Sequence, residues 1–528
     1  MSGAGRPDGA GYHEAVTDEQ PTSRRAAREA AKGAAVAAPD AAAADGTPRA
    51  TAGGLAALVR AHPVAWLVSA GALAFVLLGT GSVYAGVAWA SRGPAPVAET
   101  PAPSEEPAAR PVSDQDVVAS RLRTCSVREQ ADDGRLVTLV GSVVNADSGE
   151  LLLDRRGESA VASAAVLKAL TATVAISRLG PDFRITTSVY EGSAPGTIVL
   201  VGRGDATLSA LPAGQESFYP KAPKLQTLAE ETVARYRERY PDTPITSVVL
   251  DASYWNAADR WDASWDRGEL SRGTVSEVTA LQVDGDRADP RDAVSPRSDD
   301  AIGRAGDAFL AALAAADAEG LTVAPEISTT TGTAVGSTEL AKVRSQPMRT
   351  LVTQMMKTGD NTLAEMIARI VSRESGMDGS AASLQHVIPG ELSNLGVSQS
   401  GFTIRDGSGL SAFDAVPPAT VVEVMRALRE GEGDLDIVRD ALGVSGKSGT
   451  LASRFTGDDA DARGAVHGIA GTISTAATIA GYLDASDGTP LAFSFAAVGD
   501  GLKAGDARAA LDALTAAVYR CGDNLSNN

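Results

Sequence analysis

The residues with the clearest chemical meaning lie in the segment VASAAVLKAL, from Val161 to Leu170. On a helix, a serine three residues before a lysine lies about 60° from it around the axis, so the amine can take the hydroxyl proton and create a nucleophile. Lys168 has Ala165 at that position. The segment therefore predicts a helix that carries the base of such a pair without its nucleophile.

The segments before Lys168 predict the elements that position it. An apolar run from Leu136 to Val144 indicates a strand, residues 146–149 (ADSG) a turn, and Leu151 to Leu153 a second strand before the Ala-rich helix. With the segment that follows, this pattern resembles the nucleophile region of the low-molecular-mass class C penicillin-binding proteins. Those proteins are D-alanyl-D-alanine carboxypeptidases and endopeptidases of the serine acyl-transfer superfamily. The resemblance extends from about Val117 to the end of the chain.

The resemblance implies an α/β (α+β) fold. In it, a transpeptidase domain like that of β-lactamases, with an antiparallel sheet and helices on both faces, carries an inserted smaller domain. We expect the penicillin-binding domain at 116–190 and 330–525 and the inserted domain at 191–329. The turn DGSGLS, from Asp406 to Ser411, matches one that family members carry close to the active-site groove.

Family members bring three elements together in one groove. These are the Ser-x-x-Lys of a helix, a Ser-x-Asn that holds the substrate amide, and a Lys-Thr-Gly strand that anchors the substrate carboxylate and supports the oxyanion. In this sequence all three are altered. Ala165 stands in place of the nucleophile, Gly359 in place of the second serine and Ile469 in place of the third-element lysine. The catalytic residues that remain are Lys168 and Asn361. The resemblance also implies three substrate-binding residues, Gly471, Thr472 and Ser408.

Two other residues compete for these catalytic positions. Lys447 begins Lys-Ser-Gly-Thr, which reads like an intact third motif. In the family, however, Ser-Gly-Thr-Leu followed by Arg-Phe precedes the true strand by about twenty residues, as Arg454 and Phe455 do here, so Lys447 is expected in an exposed loop. Ser163 is the nearest candidate for another nucleophile, but five residues separate it from Lys168, about 140° around a helix. We expect Ser163 to cap the helix start instead.

Composition excludes some classes of function. The net charge is −19, from 66 acidic and 47 basic residues, which argues against a nucleic-acid partner because phosphate binding needs clustered Lys and Arg. Four histidines and two cysteines provide no spacing that would hold zinc, and no metal or other cofactor is expected.

The N-terminal part predicts a membrane anchor. Residues 1–60 are expected to be a disordered cytoplasmic tail. Residues 63–90 contain no charged side chain and are long enough for one transmembrane helix, and the Pro-rich stretch 91–115 would be a spacer. The sequence Ala88-Trp89-Ala90 leaves a cleaved signal peptide as the alternative. The predicted location is the cell membrane, single-pass, with the N-terminus cytoplasmic and the folded domain outside.

These observations predict a pseudoenzyme that resembles a D-alanyl-D-alanine carboxypeptidase acting on peptidoglycan. Its partner would be the peptidoglycan stem peptide or a cell-envelope protein, in a wall-binding or scaffolding role. The alternative is an active carboxypeptidase or endopeptidase with an unusual nucleophile.

Two contacts are expected from the resemblance. In this fold the segments that hold Cys125 and Cys521 lie side by side, which predicts a disulfide with Cα atoms within about 7 Å; two isolated thiols are the alternative. The ammonium of Lys168 should reach either the side-chain oxygen of Asn361 or a nearby backbone carbonyl, because a buried charge needs acceptors.

Overall fold

The computed structural model describes residues 122–333 and 338–528. The predicted tail (1–60), apolar span (63–90) and spacer (91–115) lie outside these ranges. Within the described ranges, no helix is long and apolar enough to cross a bilayer. The membrane anchor therefore stays a prediction.

Strands and helices alternate along much of the described chain. The strands are β1 (Thr138–Asn145), β2 (Leu151–Arg155), β3 (Thr186–Glu191), β4 (Thr197–Val201), β5 (Ile245–Asp251), β6 (Val323–Thr331), β7 (Glu339–Arg344), β8 (Gly443–Val444), β9 (Val466–Ile473), β10 (Ala476–Asp484) and β11 (Pro490–Val498). The helices are α1 (Arg128–Ala131), α2 (Leu167–Leu179), α3 (Leu225–Arg239), α4 (Gly268–Arg272), α5 (Ala301–Ala316), α6 (Met348–Thr358), α7 (Asn361–Glu374), α8 (Ala381–Ser393), α9 (Pro418–Glu430), α10 (Leu435–Ala441) and α11 (Ala504–Cys521).

The first sheet has six strands in the order β2-β1-β11-β10-β9-β8, and every neighbouring pair is antiparallel. Because successive side chains of a strand point to opposite faces, both faces of this sheet can be apolar. Phe493 and Phe495 pack on one face with residues of α11, whereas Ile469 and Ala480 belong to the cluster on the other face. The predicted antiparallel sheet with helices on both faces is what the structure has.

Helix α2, which carries Lys168, lies in the middle of the helical layer. All its residues from Leu167 to Ile176 are buried. A helix that is apolar around most of its circumference is typical of a position between other elements. Helices α6, α7, α8 and α10 surround it, so the position of Lys168 is fixed by packing on several sides.

The second sheet has five strands in the order β6-β5-β4-β3-β7. Strands β4, β5 and β6 are parallel, and β3 pairs antiparallel with both β4 and β7. Helices α3 and α5 pack beside it. The segment predicted as an insertion, 191–329, supplies the central strands, but β3 and β7 lie mostly or wholly outside those bounds.

A disulfide joins Cys125 to Cys521 at the end of α11, with the two Cα atoms 5.5 Å apart. The backbone N–H of Cys125 donates to the carbonyl of Asn524 at 3.0 Å, and Ser526 donates back to the Cys125 carbonyl at 2.8 Å. The first described residues are therefore tied to the last ones by one covalent bond and two backbone hydrogen bonds.

Candidate functional site

Ala165 lies where the start of the central helix meets strand β9. It belongs to a short 3-10 turn, Ala164–Val166, that continues into α2. Ala165 is partly exposed, and a Cβ atom added to Gly471 on β9 would overlap its methyl group. The first and third predicted elements therefore meet at this pair of residues, and a glycine on the strand permits the close approach.

Lys168 is buried below Ala165, with only 2% of its surface exposed. Its Nζ donates a hydrogen bond of 2.7 Å to the carbonyl oxygen of Ser408. Of the two acceptors predicted for this ammonium, the structure has the backbone carbonyl, whereas the Asn361 amide donates to Thr274 instead. Burial lowers the pKa of Lys168 to about 8, although the carboxylates of Asp406 and Glu365 act to raise it.

A group of buried carboxyls that the sequence analysis did not identify surrounds this ammonium. Asp406 accepts hydrogen bonds from the backbone N–H groups of Ser408, Gly409 and Ser411 and from the Trp265 indole, at 2.6–3.0 Å. Both oxygens of Glu365 accept from the N–H of Gly407, at 3.0 and 3.1 Å. Asp406 thus accepts from four N–H groups, and its charge acts to raise the pKa of the Lys168 ammonium.

The pKa values of the two neighbouring carboxyls, Glu365 and Asp414, are both raised. Burial and the nearby Asp406 charge raise the pKa of Glu365 to about 8. The same two causes raise the pKa of Asp414 well above its usual range. Near neutral pH Lys168 is therefore mainly an ammonium and Glu365 is mainly protonated. The sequence signal that could have identified Glu365 is its position as a single acidic residue among the apolar residues 363–367 of α7.

The second predicted element is a sharp corner between α6 and α7. Gly359 ends α6 in a left-handed conformation (φ 70°) and donates its N–H to the Met355 carbonyl at 2.8 Å. Asp360 caps α7 by accepting from Leu363 N–H at 3.0 Å, and Asn361 is the first residue of that helix. A serine at position 359 would have to adopt a conformation that costs an L-residue about 1–2 kcal/mol.

Asp360 also accepts hydrogen bonds from two residues of the segment predicted as an insertion. Its Oδ2 accepts from the Tyr219 hydroxyl at 2.8 Å and from Arg287 at 3.0 Å. Burial alone would raise the pKa of Asp360, but the Arg287 guanidinium lowers it below the usual value. This buried ion pair fixes the corner and hence the place of Asn361.

At the position predicted for the lysine of the third element, the chain has the apolar side chain of Ile469. Ile469 is 1% exposed and belongs to the apolar cluster shared with α2. Lys447, the alternative lysine, is exposed in the loop after β8. Thr450, three residues later, accepts from the Ala470 N–H at 3.0 Å, so this loop packs beside β9 rather than forming it.

The predicted helix cap at Ser163 is wrong. Ser163 has a helical backbone (φ −82°, ψ −19°) and its side chain accepts no N–H, because a capping serine needs an extended conformation. Its Oγ is buried without a hydrogen-bond partner, in a small apolar space beside Val416 and Phe495. The Ser163 hydroxyl therefore makes no hydrogen bond to Lys168.

A groove of about 500 Å³ lies beside these elements. One wall comes from the segment predicted as an insertion, and the other from β9 and the turn that follows Asp406. The lining residues are Ser264, Trp265, Asp266, Glu269, Arg272, Thr274, Asn361, Leu410, Ala412, Thr472, Ile473, Ser474 and Ala504. Asn361 and Thr472, both predicted from the sequence, are among them; the insertion residues were not predicted individually, since no motif marks them.

Comparisons with known proteins agree with this arrangement. The chain matches the D-Ala-D-Ala carboxypeptidase 3 (S13) family over residues 124–296 and 280–518. It is 31% identical to carboxypeptidase DacB of Mycolicibacterium smegmatis over 388 residues, 73% of this chain and 81% of that protein. It is 30% identical to carboxypeptidase Rv3627c of Mycobacterium tuberculosis over 437 residues, 82% and 90% of the two chains. The crystal structure of penicillin binding protein 4 from Haemophilus influenzae has the same fold, with a TM-score of 0.59 at 17% identity over 72% of this chain and 95% of that one.

Proposed function

We propose that this chain, which belongs to the D-Ala-D-Ala carboxypeptidase 3 (S13) family, holds peptidoglycan stem peptides in its groove without hydrolysing them. The observation that carries the proposal is the methyl group of Ala165 at the point where Gly471 approaches the helix of Lys168. Acyl transfer in the superfamily needs a hydroxyl there, because the acyl group is carried on its oxygen.

The neighbouring residues support loss of catalysis. Nζ of Lys168 donates its hydrogen bond to the Ser408 carbonyl, and in the described residues it has no hydrogen bond to a side-chain hydroxyl. Ser163 points into an apolar space. Removing the nucleophile of a serine hydrolase alone lowers turnover by about 10⁶, and the other altered positions remove further parts of a unit that acts together.

The groove nevertheless keeps features that suit a peptide. In the described residues, β8 pairs with β9 only at His467 and Gly468, and Thr450 accepts the next N–H, that of Ala470, so the strand edge that a peptide could join lies beyond Ala470, toward Thr472. An extended peptide can add to such an edge through main-chain hydrogen bonds. The groove beside it has a volume in the range of small-ligand sites.

Labelling with a fluorescent penicillin tests the loss of catalysis. We expect no covalent adduct on the wild-type chain and no release of D-alanine from a stem pentapeptide above the uncatalysed rate. The triple variant Ala165→Ser, Gly359→Ser, Ile469→Lys should recover labelling, and Ala165→Ser alone should recover little, because these residues act as a unit. A wild-type adduct, found for example on Ser163, would show that the chain is an active enzyme.

The membrane anchor belongs to the same proposal. Residues 63–90 would hold the chain in the membrane with the folded part outside, where the Cys125–Cys521 disulfide can form. The chain should then stay in the membrane fraction after an alkaline carbonate wash. Release of a chain that begins near Ser91 would indicate a cleaved signal peptide instead.

A further inference from the structure

We infer that the groove selects peptides whose C-terminal carboxylate is blocked, for example as an amide or because the chain continues; this inference rests on the proposed function. The inference concerns the charge on the C-terminal end of the bound peptide, which would lie nearest β9. Three observations lead to it: the hydrocarbon at position 469, the bonds already made by the nearby cations, and the net charge of the groove wall.

Position 469 offers no cation to a carboxylate. Ile469 is buried on the face of β9 that also carries Gly471, two residues further on. The family position holds a lysine that anchors the substrate carboxylate, so the substitution removes the attraction and leaves an apolar side chain that cannot hydrogen-bond. A ligand carboxylate beside β9 therefore finds no ammonium from this position.

Lys168 and Arg272 already have hydrogen-bond partners within the protein. Lys168 is 2% exposed and bonded to the Ser408 carbonyl, so a ligand in the groove does not reach it. Arg272 is the one cationic side chain among the residues that line the groove. Its Nη2 donates to Asp266 at 2.7 Å and also to Glu269, two carboxylates of the same wall.

The groove wall therefore has an acidic balance. Two carboxylates against one guanidinium leave a net charge of −1 among the lining residues. A ligand carboxylate near Arg272 would be a third anion around a single cation, whereas a neutral amide meets no such repulsion. The amide also brings N–H donors that Asp266 and Glu269 can accept.

Calorimetric titration with two peptides tests the inference on the wild-type chain. The peptides are one stem pentapeptide ending in D-alanyl-D-alanine and the same peptide with a C-terminal amide. We expect the amide to bind at least fivefold more tightly at low salt, and the ratio to shrink at 0.5 M salt because screening weakens the repulsion. Equal affinities, or tighter binding of the acid, would overturn the inference while leaving a peptide-binding function in place. If neither peptide binds, the proposed peptide-binding function itself is wrong, and this inference with it.

Two matched variants separate charge from shape. Ile469→Lys adds an ammonium to the strand and should move the preference toward the acid by at least fivefold. Ile469→Met adds similar length without charge and should keep the preference for the amide. If both variants shift the ratio equally, packing rather than charge determines it, and the inference fails. If Ile469→Lys does not fold, the comparison of the acid and the amide peptide on the wild-type chain tests the inference by itself.

Discussion

Lys168 has a structural role in the described fold. Its ammonium bonds the Ser408 carbonyl and lies among Asp406, Glu365 and Asp414. Removing one member of a buried charge pair leaves the other uncompensated, which is strongly destabilising. The lysine is therefore held in place by the carboxylate of Asp406, and its presence does not require that it act as a base.

Glu365 gives this cluster a pH dependence that can be measured. Burial raises its pKa from 4.5 to about 8, so the folded chain keeps a proton that the unfolded chain releases between these values. The stabilising contribution is complete below pH 4.5 and is lost as the pH rises to 8. Glu365→Gln keeps an acceptor for the Gly407 N–H and cannot ionise. Between pH 5 and 8 we expect urea unfolding to show a decline in stability that is smaller in Glu365→Gln than in wild type, by on the order of 3 kcal/mol.

The controls for this prediction follow from the neighbouring groups. Glu238→Gln, at an exposed position on α3, should leave the wild-type slope unchanged. Asp414 also has a raised pKa and will leave part of the slope in Glu365→Gln. Lys168, with a pKa lowered to about 8, affects stability between pH 8 and 10.5, above the window. Parallel slopes for wild type and Glu365→Gln would mean that Glu365 is ionised in the folded chain.

Residue spacing predicted the local features of the site and missed the long-range ones. The three-residue step from Ala165 to Lys168 is a property of one helix, so the sequence alone exposes the missing hydroxyl. The protonation of Glu365 depends on Asp406, forty-one residues later in the sequence, and no local pattern encodes that contact. The cap at Ser163 failed because the backbone there is already helical.

At the scale of elements, the contact between β9 and the start of α2 determines the shape of the groove. A Cβ atom on Gly471 would overlap Ala165, so Gly471→Ala must move the strand or the helix. We expect a loss of about 1–3 kcal/mol in unfolding free energy, measured by urea denaturation. Adding Ala165→Gly should restore part of it, because the overlapping methyl group is removed. Gly390→Ala, in α8 with nothing within 4 Å of the added atom, should be neutral or stabilising. Independent, additive effects of the Gly471 and Ala165 changes would contradict this contact.

The elements that the sequence predicted best are those with the plainest patterns. Two apolar runs separated by a turn of small and polar residues predicted β1 and β2. The pairing of β3 with the edge strand β7 in the second sheet was not predicted, since the end of β3 and the start of β7 are 148 residues apart and meet only in the folded chain. For the same reason the groove wall formed by Glu269 and Arg272 had no sequence signal.

For the whole molecule, the most consequential covalent constraint is the disulfide between Cys125 and Cys521, which are 396 residues apart. It ties the segment before β1 to the end of α11, beside the sheet that carries β9. A cross-link of this kind stabilises mainly by restricting the unfolded chain, typically by about 2–5 kcal/mol. We expect Cys125→Ser, Cys521→Ser to unfold at lower urea concentration by that amount, and a reductant to weaken the wild type to the same level while leaving the double variant unchanged. Unfolded, non-reduced wild-type protein should show no free thiol. Two free thiols would mean that the disulfide does not form in the native chain. The contact between the segment of Cys125 and the C-terminal residues would then depend on the backbone hydrogen bonds of Cys125 alone.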